Sequence, residues 1–151
     1  MLKKSIEKNT KLTNKGSITS QRMIHIASDI SYNYGEDVVI YDVREKSPFV
    51  SYFVVASASN DRRLRALIQT AKEALYDNYK EIDHTEGKNE SNWILIDAKD
   101  VVVHLFTKDE RKRVDLDSLY ADVPHKIIKV TEEPVYRRRK KPESQMQWKE
   151  D

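Results

Sequence analysis

The stretch that decides the fold is WILIDAKDVVVHLFTKDERKRVDLDSLY, residues 93–120. Two apolar runs, Trp93 to Ile96 and Val101 to Phe106, flank the polar Asp97-Ala98-Lys99-Asp100, which is the pattern of two strands joined by a short turn. With Ala98 and Lys99 as a two-residue loop, Asp97 faces Asp100, Ile96 faces Val101, Leu95 faces Val102, Ile94 faces Val103 and Trp93 faces His104. Side chains alternate across a strand. One face then carries Ile94, Ile96, Val101, Val103 and Leu105, and the other carries Trp93, Leu95, Val102, His104 and Phe106. The first face is wholly aliphatic and belongs in the core. The second mixes a large aromatic, a titratable ring and apolar neighbours, the composition of a surface that a partner covers. A helix of the same chain lying over it, with His104 hydrogen-bonded in a two-sided core, satisfies the periodicity equally well.

Outward from this hairpin the order of elements is legible. Ser17 to Ser20 supplies helix N-cap candidates, and Met23, Ile24, Ala27 and Ile30 share one helical face before Gly35 as a stop. Asp37 to Val43 reads as a first strand, Lys46-Ser47-Pro48 as a turn, and Phe49 to Ala58 as a second strand. Ser59 or Asn60 can cap a long helix in which Leu64, Leu67, Ile68, Ala71, Ala74 and Leu75 recur at three and four residues, with Arg62, Arg63, Arg65, Lys72 and Glu73 left to solvent. His84 to Ser91 reads as a polar loop. The strand ending near Ala58 and the strand beginning near Trp93, if parallel neighbours, are joined by a right-handed crossover. Beyond Phe106, Thr107 to Arg111 and Asp115 to Tyr120 each suit a helical turn, and Lys126 to Val130 suits a short edge strand. The fold class is α/β, a mixed β-sheet with helices packed on it.

Composition narrows the function. In 151 residues, 38% hydrophobic, there is room for one core plus tails. The expected division is a flexible basic segment over 1–17, an α/β domain over 18–130 and a basic tail over 131–151. With 27 Lys+Arg against 25 Asp+Glu the overall charge does not announce a nucleic-acid binder. The absence of cysteine excludes disulfides and thiolate metal sites. The longest apolar stretch, Phe49 to Ala58, is too short to span a bilayer, so no membrane role is expected. The N-terminal segment, with Lys3, Lys4, Lys8, Lys11 and Lys15, lacks the apolar run of a secretory signal. Arg137 to Lys141 are consecutive basic residues, ordinarily solvated chain and also suited to reinforcing contacts with nearby RNA.

Catalytic chemistry finds little support. Asp97, Asp100 and His104 are the residue types of metal or acid/base sites, but in the hairpin register the two aspartates sit at the tip while His104 lies roughly 13 Å down the strand. His25, His84, His104 and His125 show no ligand spacing, so no metal is expected. Ser57-Ala58-Ser59-Asn60-Asp61 joins strand to helix where a phosphate loop would lie, yet lacks the glycines such a loop needs. No catalytic residue and no cofactor is assigned.

The residues DVREKSPFVSYFVVASASNDRRLRAL (42–67) and EGKNESNWILIDAKDVVVHLFTKDERKRVDLDSLYADVP (86–124) resemble the ribosomal silencing factor, or Iojap-like, family. The similarity covers roughly Ile24 to Pro124. Its most specific element is W-x-L-x-D-x-x-D-V-V-V-H-x-F followed by Arg and D-L-x-x-L; Asp42-Val43-Arg44, Ser51 to Val55, Ser57, Arg62 and Glu86-Gly87 also match. The resemblance implies a fold similar to a nucleotidyltransferase domain without its catalytic carboxylates, and a cytoplasmic protein that is not an enzyme. It implies binding to ribosomal protein fourteen of the large ribosomal subunit and a steric block on association of the subunits, repressing translation. It places Trp93, Leu95, His104 and Phe106, with Asp97 and Asp100 at the rim and Arg111, Leu116, Leu119 and Tyr120 following, on or near the docking surface. Each also has a plain structural role: Leu116 and Leu119 pack a helix on the sheet, and Arg111 pairs Asp115 or Asp117 on the surface. It further suggests a homodimer when free.

This chain departs from the family pattern at Lys99 and Ala58, where glycine is usual, and at Tyr120, where tryptophan is usual. The departure at Lys99 points to a different turn conformation; Tyr120 keeps an amphipathic aromatic. The alternative from another class is a nucleotidyltransferase-like nucleotide-binding enzyme, in which the Ser57 to Asp61 loop and the two hairpin aspartates would share a metal nucleotide.

Overall fold

The computed structural model describes residues 20–79, 81–87 and 90–134; the expectations for the 1–17 segment and for the Arg137 to Lys141 run lie outside the described residues. In chain order the elements are α1 (Gln21–Tyr32), β1 (Glu36–Asp42), β2 (Tyr52–Ala58), α2 (Asp61–Tyr79), β3 (His84–Glu86), β4 (Trp93–Ala98), β5 (Val101–Thr107), α3 (Lys108–Val114), α4 (Leu116–Leu119) and β6 (His125–Ile128). The strands form one mixed sheet in the order β3-β4-β5-β2-β1-β6. β2 and β5 run parallel and the other neighbours antiparallel. The α/β class and the mixed sheet are as the sequence suggests.

The hairpin forms, but its turn lies one residue later than expected. Ala98 pairs with Val101 and Trp93 with Phe106, so Lys99 and Asp100 make the loop. Lys99 adopts a left-handed backbone with φ 69°, and its N–H donates to Asp97 Oδ1 at 2.9 Å. Lys99 thus occupies the region that glycine favours, at a cost of roughly 1 kcal/mol. The turn shifts because small, apolar Ala98 is worth more in the ladder, where it is buried beside Ile94 and Ile96, than at the tip. The partners move by two residues, an even number, so both faces keep the composition read from alternation.

Two pairings differ from expectation. β2 lies beside β5, in register from Tyr52↔Val101 to Ala58↔Thr107, and not beside the Trp93 strand. The Asp100 carbonyl accepts from the N–H groups of Ser51 and Tyr52 at 2.8 and 3.1 Å, which locks the start of β2 to the start of β5. β4 is displaced outward and takes β3 as its other neighbour, His84 opposite Asp97, where a polar loop is expected. Every residue of β3 is exposed, so no apolar alternation marks it. The second strand begins at Tyr52 because Ser47 Oγ accepts from the N–H groups of Phe49 and Val50 and holds them in a turn, leaving Phe49 85% exposed.

α1 and α2 cover one face. Met23, Ile26, Ala27 and Ile30 from α1 and Leu64, Leu67, Ala71 and Leu75 from α2 pack on Ile94, Ile96, Val101, Val103, Leu105, Val54 and Val38. Each buried leucine or isoleucine contributes about 1.5–3 kcal/mol relative to exposure. Asn60 caps α2, its Oδ1 accepting from Arg63 N–H at 2.9 Å. The other face is covered only in part, by α3, α4 and the segment leading to Val123, over Val39, Tyr41, Val55 and Phe106.

Candidate docking surface

On this second face the side chains form a row of rings. Trp93 stacks on Phe106 with centroids 5.1 Å apart and planes at 26°. Trp93 Nε1–H donates to His104 Nδ1 at 3.2 Å. Phe53, from β2, meets His104 at 4.6 Å and 71° and Tyr120 at 5.0 Å and 72°, both edge arrangements. Lys46 Nζ lies 5.5 Å over the Tyr120 ring and donates to the Leu119 carbonyl. Sequence reasoning passed over Phe53 because its place in the row depends on the parallel register of β2 against β5.

The eight candidate residues do not share one environment. Trp93, Leu95, Asp97 and Tyr120 are half-buried, and Asp100 is exposed at the hairpin tip. His104 is 3% exposed, Phe106 is 0% and Arg111 is 2%. These three lie inside the chain itself and present no surface to a partner. Trp93 and Leu95 line, with Glu86 and Gly87, a cavity of about 220 Å³. Gly87 has φ 107°, and a Cβ there would come within 2.7 Å of Ile94 and 2.8 Å of the Trp93 carbonyl. Only glycine lets the chain pass this close to β4 in that conformation.

Arg111 is not a surface partner of Asp117 but a buried one. Its Nε and Nη2 donate to the two Asp117 carboxylate oxygens at 2.9 and 3.0 Å, a bidentate pair. Its Nη1 donates to the Asp37 carbonyl at 2.7 Å and to Ser57 Oγ at 2.9 Å. The Asp37 carbonyl is available because the β1–β2 register shifts between Glu36 and Val39, with Asp37 at φ 49°. Tyr41 Oη donates to Asp117 Oδ1 at 2.5 Å. One guanidinium thereby ties α3, α4, β1 and β2 together and holds the covering segment on the sheet. Leu116 packs beneath it, whereas Leu119, expected to pack as well, is 64% exposed.

Electrostatics follow this burial. Burial works against the Asp117 charge, but the bonds and charge of Arg111 hold its carboxyl below the usual range. Burial, then the Asp117 charge, raises the Tyr41 hydroxyl. Burial lowers His104 to about 4, outweighing the opposing fields of Asp117 and Glu86. At neutral pH the ring is uncharged, with Nδ1 accepting from Trp93 and the proton on Nε2.

Chemistry elsewhere is limited. Asp97 does not approach His104; the β3–β4 pairing instead brings it to His84, and one ligand atom from each of Asp83, His84 and Asp97 lies within 4.8 Å of the others. An imidazole with carboxylates is a donor set for divalent cations, but His84 Nδ1 and Nε2 already meet Asp83 and Glu86 at 3.2 and 2.8 Å, an exposed ion-pair cluster. Hydrogen bonds to Glu86 and Asp83 raise the His84 pKa. This cluster escaped sequence reasoning because it depends on β3. For the nucleotide alternative, Ser57 pairs with Phe106 while Asp97 pairs with Val102 and Val101 with Tyr52. The Ser57 to Asp61 loop and the hairpin aspartates are therefore at least roughly 13 Å apart along the strands, too far to ligate one metal ion together.

Comparison with known proteins follows the same line. Residues 17–151 match the family model described as ribosomal silencing factor during starvation, a longer stretch than Ile24 to Pro124 that includes the basic tail. The chain is 34% identical over 89 residues, 59% of this chain and 75% of the relative, to the ribosomal silencing factor RsfS of Bacillus subtilis. It is 32% identical to that of Haemophilus influenzae, covering 58% of this chain and 85% of the relative. A crystal structure of a Bacillus halodurans protein superposes with a TM-score of 0.59 at 26% identity, covering 74% of this chain and 100% of that one.

Proposed function

The chain belongs to the ribosomal silencing factor family, whose role is ribosome-associated repression of translation, and from that premise we propose that it docks on ribosomal protein fourteen of the large subunit and blocks subunit association. The docking surface is led by Trp93 and Leu95, with Asp97, Asp100 and Tyr120 around them. The observation that carries this reading is the half-exposed pair Trp93 and Leu95 at a cavity, braced from behind by buried His104 and Phe106. A rigid aromatic with one side free is the usual anchor of a protein interface. The mechanism is steric, so the chain acts as a regulatory factor and needs no cofactor. It works in the cytoplasm, where the Arg137 to Lys141 run contacts nearby ribosomal RNA. Free copies pair through the same side of the molecule, where Leu119 is exposed.

Trp93→Ala is the test. Loss of an interface tryptophan costs about 2 kcal/mol, roughly thirtyfold in affinity, so co-sedimentation with isolated large subunits should fail while thermal unfolding stays cooperative. A folded variant that binds like wild type, or one that no longer folds, removes Trp93 as the anchor.

A further inference from the structure

His104 is a buried polar ring in contact with the docking surface but not part of it. Its Nδ1 accepts the Trp93 indole N–H at 3.2 Å, while its buried Nε2 has no hydrogen-bond partner among the described residues. Among the described residues the ring is therefore held by packing and by the indole. Phe53 meets it from β2 at 4.6 Å, and Phe106 lies nearly parallel at 6.3 Å and 13° on its own strand. The charged groups that act on it are Asp117 from α4 and Glu86 from β3. An aliphatic side chain would fill this space without burying an unpaired polar atom. The imidazole that stands there supplies one thing such a side chain lacks, an acceptor for the indole.

We propose that His104 is a positioning residue: its Nδ1 fixes the Trp93 indole in the orientation that lines the cavity with Leu95. Stacking on Phe106 alone constrains the indole plane but not which of its two χ2 flips it takes, because both lie in that plane and differ in where they put Nε1. A hydrogen bond at Nε1 supplies the missing constraint, and a fixed anchor loses less freedom on binding. This inference rests on the reading of Trp93 as the docking anchor, although its effect on the indole can be measured without any partner.

The experiment uses the full chain with Trp148→Phe, which leaves Trp93 as its sole tryptophan, and compares His104→Leu with His104→Asn. Leucine removes the acceptor; asparagine keeps an oxygen close to the Nδ1 position. In the parent the Trp93 indole N–H should exchange with solvent more slowly than free indole by NMR. His104→Leu should bring that exchange towards the free rate and weaken large-subunit binding about fivefold, the scale of one net hydrogen bond. His104→Asn should restore both. Protected exchange and full affinity in the leucine variant, or an asparagine variant as defective as leucine, assigns His104 to packing and overturns the proposal. Free-indole exchange in the parent overturns it even if neither variant folds. If Trp93→Ala itself binds normally, the docking reading fails, while the exchange data still decide whether His104 orients the indole.

Discussion

The two faces of the sheet are built from the same strands but solved differently. Under α1 and α2 the contacts are aliphatic, from Ile94, Ile96, Val103, Leu105 and the helix leucines, and need no particular partner atom. The opposite face is only partly covered, by a short segment, and buries a guanidinium, a carboxylate, a phenol and an imidazole. Aliphatic packing tolerates change of shape within limits. A polar core tolerates the loss of a partner poorly, because what remains is an unpaired buried group. The second face is thus the less forgiving of the two, and it is also the one that leaves Trp93 and Leu95 open.

That contrast breaks first at Arg111. Arg111→Ala leaves Asp117 buried without its counter-ion and the Asp37 carbonyl without a donor, and should cost about 3–5 kcal/mol. Urea unfolding measures it; a loss below about 1 kcal/mol would mean that the clamp does not hold α3 and α4 on the sheet.

Acid should sharpen the difference with a somewhat smaller effect. The unfolded chain takes up a proton on His104 below its ordinary pKa of 6.5, whereas the folded chain resists until about 4. The stabilisation is complete above pH 6.5 and is lost as pH falls towards 4, on the order of 3 kcal/mol in all. His84, with its raised pKa, has the opposite sign: its contribution is present below pH 6.5 and lost as pH rises. Stability of wild type and His104→Leu between pH 7 and 4 compares the terms, and the variant should show the flatter dependence. Parallel curves would place the acid sensitivity elsewhere.

The smallest effect on stability is expected at Leu119, which is exposed beside Tyr120. Leu119→Ser should change folding stability by no more than about 0.5 kcal/mol, yet shift the free protein from dimer to monomer by light scattering. A wild-type protein that stays monomeric at high concentration removes the dimer.

The legible part of the site was its side of the sheet. Alternation from Trp93 to Phe106 separated the two faces correctly, even though the turn lies at Lys99-Asp100, because an even displacement preserves parity. Phe53 and His84 were not legible as neighbours of the site. Their positions depend on which strands pair, Phe53 with Val102 and His84 with Asp97, and neither pairing leaves a periodic mark.

By itself, then, the sequence determined the α/β class, the long helix with its cap at Ser59 or Asn60, the aliphatic face and the motif that identifies the family. These follow from local propensity and from periods of two and 3.6 residues, which any short window contains. Only the tertiary structure decided that His104, Phe106 and Arg111 are interior while Trp93 and Leu95 stay half-open. The reason is that burial depends on what crosses the sheet from elsewhere in the chain. The segment that does so is held down by Arg111 through acceptors on Asp37 and Ser57, more than fifty residues away in sequence.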